Sequence, residues 1–179
     1  SLDGDADRCI LVDEKGHLVD GDQILAILAS DLVDKGALPK KSVVATVMSN
    51  LGLERYLNGL GCTLLRTQVG DRYVVERMRA DSHPLGGEQS GHIVQFQHST
   101  TGDGLMAGLS VLGCMVDAAA PLSELAGVMK TYPQTLKNIR VKDKKPLDEL
   151  GHVQLAIEAV EADLGHDGRV LVRYSGTEK

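Results

Sequence analysis

The sequence predicts an α/β fold, with parallel, mixed α/β domains followed by a partial α+β domain at the C-terminal end. Strand-like and helix-like segments alternate through the middle of the chain, the order that right-handed crossovers and a parallel sheet require. Segment 43–47 is a continuous β-branched and apolar run, as in a strand buried on both faces. After residue 133 the pattern changes to strand, helix and strand, which is typical of an α+β unit.

The first 41 residues contain a predicted hairpin and one helix. Two apolar runs flank a polar turn, which predicts the hairpin. A capping sequence precedes helical periodicity and a glycine ends it, which predicts the helix. These elements are strands 9–12 and 18–19, turn 13–17, the cap Asp20-Gly21-Asp22 and helix 23–35, which Gly36 ends.

The middle of the chain alternates between the two kinds of element. β-Branched runs predict the strands, and helical periodicity bounded by caps and glycines predicts the helices. Segment 103–117 is mostly Leu, Met, Ala, Gly and Val, and because it has no polar face we expect this helix to be buried between layers. The predicted elements are strand 43–47, helix 51–60, strand 63–67, helix 73–80, strand 92–94 and helix 103–117.

The tail has a different pattern. Segments 137–141 and 169–174 predict strands, and segment 147–164 predicts a helix. We therefore predict three parts in the chain. They are the end of one domain at 1–41, a complete α/β domain at 42–133 and part of a further domain at 134–179.

Composition and charge exclude several classes of function. The 179 residues are 42% hydrophobic and carry a net charge of −6 without a basic cluster, which argues against a nucleic-acid partner. No stretch approaches the ~20 apolar residues of a membrane span, and no secretory signal is seen, so we expect no membrane partner and a cytoplasmic location. Cys9, Cys62 and Cys114 lack Cys-x-x-Cys spacing and are predicted to be buried thiols.

The densest chemical signal is the motif Asp3-Gly4-Asp5-Ala6-Asp7-Arg8. On an extended backbone the three carboxylates point to one side, where they suit a Mg²⁺ ion with open positions for phosphate oxygens. Arg8 adds a fixed guanidinium that suits phosphate. An EF-hand loop is an alternative, since Glu14 lies at its twelfth position, but Arg8 stands where that loop needs Gly. A solvated acidic turn without metal is the other alternative.

Two further loops combine flexible backbone with hydrogen-bonding side chains. In residues 86–92, Glu88, Gln89 and Ser90 follow two glycines, a mixture that suits the hydroxyls or an amine of a sugar. Residues 173–178, Arg-Tyr-Ser-Gly-Thr-Glu, combine a guanidinium with two hydroxyls, a usual way to hold phosphate. For each loop an ordinary turn is the alternative. Arg72, at the junction 67–73, is a candidate for anion binding.

Together these motifs resemble the α-D-phosphohexomutase superfamily in order and spacing. The acidic motif is followed about 80 residues later by Gly-Glu-Gln-Ser-Gly-His, and Arg-Tyr-Ser-Gly-Thr-Glu stands near the end. Glu-Gln-Ser, with Val-Gly-Asp-Arg-Tyr-Val and Thr-Thr-Gly-Asp-Gly, looks most like the phosphoglucosamine mutase branch, and the phosphomannomutase/phosphoglucomutase branch is the alternative. The resemblance covers nearly the whole chain and implies α/β domains of the phosphohexomutase type.

The resemblance also implies a role for each motif. It implies a phosphosugar substrate and Mg²⁺ as the cofactor, bound by Asp3, Asp5 and Asp7. It implies that Arg8 and Arg72 are catalytic residues beside the transferring phosphate. It implies that the sugar is bound by Glu88, Gln89 and Ser90. The substrate's phosphate would be bound by Arg173, Ser175, Gly176 and Thr177.

The reaction implied by the resemblance moves phosphate from an active-site phosphoserine to the sugar phosphate. A bisphosphate intermediate then reorients and returns its other phosphate to the serine. The serine loop, which lies N-terminal to the metal loop in the family, is absent here, so we expect the sequence to begin in mid-protein and to be inactive by itself. A non-catalytic module that binds a phosphosugar or a divalent ion is an alternative, and a homodimer is compatible with the sequence.

Overall fold

Two compact units divide the chain, Ser1–Tyr132 and Pro133–Lys179, and the computed structural model describes residues 1–175. The predicted division into 1–41, 42–133 and 134–179 stays a prediction, although residues 1–41 pack within the first unit. The first unit holds six strands and five helices. They are β1 Leu11–Val12, β2 Leu18–Val19, α1 Gly21–Asp34, β3 Ser42–Thr46, α2 Leu51–Gly59, β4 Thr63–Thr67, α3 Asp71–Asp81, β5 Leu85–Gly87, β6 Ile93–Gln95, α4 Gly104–Ala118 and α5 Leu122–Ala126.

A four-stranded sheet in the order β4-β3-β5-β6 forms the centre of the first unit. Strand β3 is parallel to both β4 and β5, whereas β6 is antiparallel to β5. All five residues of β3 are buried, so the continuous apolar run predicted this central strand correctly. The predicted hairpin is confirmed as the antiparallel pair β1-β2.

Helices cover both faces of the sheet. Val43 and Ala45 of β3 point into the larger core cluster, which also contains the buried side chains of α1, α2 and α4. Val44 points to the other face, where Val74 and Met78 of α3 cover it. The alternation of side chains along one strand therefore divides the unit into helix, sheet and helix layers.

Helix α1 begins at the predicted capping sequence, with Asp20 as the N-cap residue, and its first residue is Gly21 and not Gln23. The Asp20 carboxylate accepts hydrogen bonds from the backbone of Asp22 and Gln23, and the Gln23 side chain accepts one from the Asp20 backbone. These bonds satisfy N–H groups that a helix start otherwise leaves without partners. The cap fixes the position of the α1 N-terminus, which adjoins the candidate site.

Strand β5 was not predicted as a strand, because two of its three residues are glycines with low strand propensity. Tertiary packing explains them. A Cβ on Gly86 would lie 2.5 Å from the Met78 sulfur, and one on Gly87 would lie 2.5 Å from the His92 carbonyl oxygen. The glycines therefore let α3 and β6 approach the strand closely.

Helix α4 is not buried between layers, and that prediction is wrong. One side packs through Ala107, Val111 and Cys114 into the core. The other side exposes Leu105, Leu109, Leu112 and Val116, at 53–78% of their surface. Among helices and strands, α4 packs mainly against α1 and β6.

The second unit contains a 3₁₀ turn, Leu147–Glu149, and helix α6, Gly151–Leu164, where a helix was predicted. The strands predicted at 137–141 and 169–174 are not formed in the described part of this unit. Their apolar side chains are largely exposed, as Ile139 at 73% and Leu171 at 42% illustrate. A strand needs a paired neighbour to satisfy its backbone, which local propensity alone does not provide. Within residues 1–175 no helix is both long and apolar enough to cross a lipid bilayer.

Candidate functional site

The acidic loop, residues 3–8, brings its three carboxylates together. Asp3, Asp5 and Asp7 each offer one oxygen, and these oxygens lie within 4.8 Å of one another. The side chains of Asp3 and Asp5 are exposed and that of Asp7 is half-buried. Three converging hard oxygen donors at the surface are a donor set that suits Mg²⁺ or Ca²⁺.

The convergence arises from a turn and not from an extended strand, so the predicted backbone geometry is wrong although the predicted clustering is correct. Ala6 adopts a left-handed conformation with φ of 60°, and its N–H donates to the Asp3 carbonyl at 3.3 Å. The Ala6 carbonyl in turn accepts from the N–H of Gly104 at 3.0 Å, which ties the loop to the start of α4. The conformation of the acidic loop is therefore fixed by hydrogen bonds within the loop and to α4.

Charges within the acidic loop repel one another. Burial, and secondly the negative charge of Asp5, raise the pKa of the Asp7 carboxyl. The Arg8 guanidinium lies 3.6 Å from Asp3 and 3.8 Å from Asp7 and offsets part of this repulsion. A bound cation would offset the remainder, so the electrostatics of the loop favour cation binding.

The EF-hand alternative fails in the structure. The Glu14 carboxylate accepts hydrogen bonds from the backbone and the hydroxyl of Ser123, at the start of α5. Among the described residues the acidic cluster consists of Asp3, Asp5 and Asp7 only. The carboxylate that an EF-hand would require at its twelfth position is therefore engaged elsewhere.

The polar loop, residues 88–92, follows β5 directly and is closed by two backbone hydrogen bonds. The Glu88 N–H donates to the His92 carbonyl at 2.9 Å, and the Gly91 N–H donates to the Glu88 carbonyl at 3.0 Å. Ser90 is exposed, and its hydroxyl donates to the Glu88 carboxylate at 3.4 Å. Glu88 and Ser90 thus present oxygen atoms side by side at the surface.

The fold joins the polar loop to the acidic loop. The Cys9 N–H donates to the Gly91 carbonyl at 3.0 Å, and Arg8 pairs with His92 in an isolated β-bridge. Gly91 has φ of 94°, and a Cβ there would lie 2.3 Å from the Cys9 carbonyl oxygen. Only glycine allows both the conformation and the close approach. Two motifs far apart in the sequence therefore form one continuous surface.

His92 lies beside the acidic loop, and the sequence did not indicate a role for it. It is 2% exposed, and its Nε2 lies 3.6 Å from the Asp7 carboxylate. Among the described residues neither ring nitrogen has a hydrogen-bond partner, which is rare for a buried polar group. A Cβ on Gly102 would lie 2.2 Å from the same ring, so that glycine makes room for it. The histidine stood within a motif, but nothing in its sequence context indicated burial beside the acidic loop.

Glu88 also binds the junction that carries Arg72. Its carboxylate accepts a hydrogen bond from the Gly70 N–H at 3.1 Å. Arg72 itself lies on the exposed surface of α3, where it contacts Glu76 at 2.9 Å and stacks on the ring of Tyr73. A catalytic role of Arg72 stays a prediction.

In the second unit, the described contacts of the predicted phosphate-binding residues are local. Arg173 donates to the Tyr174 carbonyl at 3.4 Å, and the Ser175 carbonyl accepts from the Lys144 ammonium group at 2.8 Å. Gly176 and Thr177 lie outside the described residues. The roles predicted for Arg173 and Ser175 stay predictions.

Comparison with known families gives matches over both units. Residues 20–132 match the model of the phosphoglucomutase/phosphomannomutase alpha/beta/alpha domain III. Residues 136–179 match the model of the phosphoglucomutase/phosphomannomutase C-terminal domain.

Among curated proteins, the chain is similar to phosphoglucosamine mutases. It is 56% identical over 178 residues to that of Nitratidesulfovibrio vulgaris Miyazaki F, and 58% identical to that of Anaeromyxobacter dehalogenans 2CP-C. Each alignment covers 99% of this chain but only 40% and 39% of the relative. The chain therefore spans about two fifths of the length of these relatives.

Solved structures share the fold. The Aspergillus fumigatus N-acetylphosphoglucosamine mutase in complex with GlcNAc-6P and magnesium matches 99% of this chain and 46% of its own, with a TM-score of 0.81 at 23% identity. A phosphoglucomutase/phosphomannomutase family protein of Burkholderia thailandensis matches 76% of this chain and 29% of its own, with a TM-score of 0.65 at 26% identity. The predicted α/β architecture is confirmed by these neighbours.

Proposed function

This chain belongs to the phosphoglucomutase/phosphomannomutase family, and on that premise we propose that it is part of a phosphoglucosamine mutase. The complete polypeptide interconverts glucosamine 6-phosphate and glucosamine 1-phosphate through a phosphoserine and a bisphosphate intermediate. Identities of 56% and 58% to curated phosphoglucosamine mutases support this specificity. Gln89 between Glu88 and Ser90 agrees with it, since this triplet is the feature of the polar loop that resembles the same branch.

In this proposal the acidic loop holds Mg²⁺ through Asp3, Asp5 and Asp7. The residues fit that ion because they supply converging carboxylate oxygens that repel one another without a cation. The complex of the A. fumigatus relative with magnesium supports the same choice. When bound, the ion neutralises negative charge on the phosphoryl group that is transferred.

The chain's own residues bind and orient the substrate. Glu88 and Ser90 accept and donate hydrogen bonds to sugar hydroxyls from a loop whose backbone is already closed. Arg8 orients the acidic loop and presents a guanidinium to the transferring phosphate. The loop of Arg173 and Ser175 binds the substrate's other phosphate. Because that loop must accept either end of the sugar, it recognises phosphate and not the position of phosphate on the ring.

The observation that carries this proposal is the direct contact between the acidic and polar loops. A hydrogen bond from Cys9 to Gly91 and the pairing of Arg8 with His92 hold the two loops together. An adventitious acidic turn needs no neighbouring loop of sugar-binding chemistry. A site for a phosphorylated sugar needs both at a fixed distance, because phosphoryl transfer depends on positioning.

The test uses the complete polypeptide that contains this chain, assayed with Mg²⁺ and three substrates. We expect kcat/KM for glucosamine 6-phosphate to exceed that for glucose and mannose phosphates by about a hundredfold or more, a discrimination that hydrogen bonds to a substrate amine can provide. A preference for mannose or glucose phosphate would instead assign the phosphomannomutase/phosphoglucomutase branch. Binding of phosphosugar without turnover of any of the three would identify a non-catalytic module.

The proposal also places the protein in the cytoplasm. Cys9, Cys62 and Cys114 are free and buried, as predicted, which is compatible with a reducing compartment. A homodimer stays a prediction.

A further inference from the structure

The first unit ends in an exit segment, residues 128–132, that is bound by one buried side chain. The Asn50 side-chain amide donates to the Tyr132 carbonyl at 2.8 Å, and its oxygen accepts from the Tyr132 N–H at 3.0 Å. Asn50 is 1% exposed and lies between β3 and α2. Its amide thus pairs with the backbone of a residue 82 positions away, at the last position before the second unit.

Two further contacts reinforce this attachment. The Arg55 guanidinium of α2 lies 5.3 Å from the centre of the Tyr132 ring, and the Lys130 ammonium, within the exit segment itself, lies 5.5 Å from it. Gly52 packs directly against the segment, since a Cβ there would lie 2.0 Å from the Lys130 carbonyl oxygen. The exit segment is therefore held by both backbone and side-chain contacts.

Asn50 is itself held in place from two sides. Its backbone N–H donates to the carboxylate of Asp22 in α1 at 2.7 Å. The Arg66 guanidinium donates to the Ser49 carbonyl at 2.9 Å and pairs with Glu54 at 2.9 Å, which fixes the loop that leads into Asn50. These bonds hold the loop at Asn50 to α1, β4 and α2.

The helix end that holds Asn50 also holds the polar loop. Gly21, beside Asp22, donates its N–H to the Gln89 carbonyl at 3.0 Å, and a Cβ there would lie 2.0 Å from the Glu88 carbonyl oxygen. The Gln89 side chain donates to the Asp20 carboxylate at 3.3 Å. The start of α1 is thus a common support for the polar loop and, through Asn50, for the exit segment.

We propose that Asn50 is a positioning residue that ties the exit segment to the start of α1. The chain then enters the second unit, which carries Arg173 and Ser175, from a point that is fixed relative to the polar loop. Capping α2 alone does not explain the geometry. The cap needs only the bond from the Gly52 N–H to the Asn50 oxygen, at 2.8 Å, whereas the bonds to Tyr132 serve no helix.

The experiment measures hydrogen exchange at the Tyr132 amide and steady-state kinetics in the complete polypeptide that contains this chain. We expect Asn50→Ala to speed exchange at Tyr132 by about tenfold or more, because the bond that protects this amide is lost. We expect KM for the sugar phosphate to rise about fivefold or more with kcat within about twofold, as for loss of uniform binding. The kinetic effect rests on the proposed function, whereas the exchange effect does not.

A control and a second variant make the result specific. The control, Asn58→Ala, removes an exposed asparagine from the same helix and should not speed exchange at Tyr132 more than about twofold. Gly52→Ala keeps residue Asn50 but would place a Cβ 2.0 Å from the Lys130 carbonyl oxygen and 3.1 Å from Asn50 Oδ1, so it should disturb the same attachment and reproduce the effect. It carries the test if Asn50→Ala does not fold.

Unchanged exchange at Tyr132 in both Asn50→Ala and Gly52→Ala would overturn the proposal. Equal loss of protection through the whole sheet would overturn it too, since Asn50 would then act on folding alone. Faster exchange at Tyr132 with unchanged KM would keep the attachment and remove its role in substrate binding. Absence of turnover even in the unmodified polypeptide would refute the proposed function and leave the exchange result to decide on the attachment.

Discussion

Replacing Gly91 by alanine is the sharpest test of how the acidic and polar loops are joined. Two costs add. A non-glycine residue at φ of 94° costs about 1–2 kcal/mol. The new methyl group would also lie 2.3 Å from the Cys9 carbonyl oxygen and 2.9 Å from its carbon. Both atoms are backbone, so no flexible side chain can move aside, and overpacking of this kind costs about 1–3 kcal/mol.

The two terms together predict a loss of about 2–5 kcal/mol, a large share of the about 5–15 kcal/mol that stabilises a typical domain. Gly16→Ala is the matched control, because Gly16 also has a positive φ, of 84°, but a Cβ there would have no neighbour within 4 Å. It should cost only the conformational term, about 1–2 kcal/mol.

The assay combines urea unfolding of the complete polypeptide with calorimetric titration of Mg²⁺. We expect Gly91→Ala to lose at least about 1 kcal/mol more than Gly16→Ala and to bind Mg²⁺ about tenfold more weakly, since the acidic loop loses its support. Equal free energies of unfolding in the two variants would refute the packing argument. Unchanged Mg²⁺ affinity in Gly91→Ala would refute the claim that the contact between Gly91 and Cys9 shapes the metal site.

Three further outcomes follow from the same geometry. Asp5→Asn should weaken Mg²⁺ binding, measured by calorimetry, and abolish turnover; unchanged activity would remove the metal-site proposal. Burial raises the pKa of the Asp22 carboxyl from 3.8 to about 6. Between about pH 4 and pH 6 the folded protein therefore keeps this proton while the unfolded chain has lost it, so the free energy of unfolding falls as pH rises through this range. Two pKa units correspond to about 3 kcal/mol, and Asp22→Asn, which can still accept from Asn50, should remove that dependence in urea unfolding measured across this range. Ser175→Ala should raise KM for the sugar phosphate more than it lowers kcat, and an effect on kcat alone would contradict a binding role.

Most elements of the first unit could be predicted because their signals are local. The β-branched run of β3 indicates burial on both faces, and the capping sequence that starts at Asp20 marks a helix start. Strand β4 was predicted at its observed bounds, 63–67. Each of these signals depends on residues within a few positions of one another.

The elements that were predicted wrongly depend instead on contacts between residues far apart in the sequence. Gly86 and Gly87 form strand β5 through pairing with β3 and β6, and Met78 and His92 leave no room there for a side chain. The apolar composition of α4 does not reveal which side meets a neighbour, so the exposure of Leu105 and Val116, on the side turned away from the core, could not be predicted. Strand propensity at 137–141 did not suffice without a paired strand.

The sequence by itself determined the chemistry of the candidate site. Three carboxylates in six residues, and a Glu-Gln-Ser triplet between glycines, are properties of the covalent chain and need no fold to be recognised. The tertiary structure decided their arrangement. The bond from Cys9 to Gly91 joins residues about eighty positions apart, and the burial of His92 beside Asp7 depends on the space left by Gly102. Contacts at such separations form only when sheet and helices pack, because the entropy of closing long loops must be offset by the burial of the whole core.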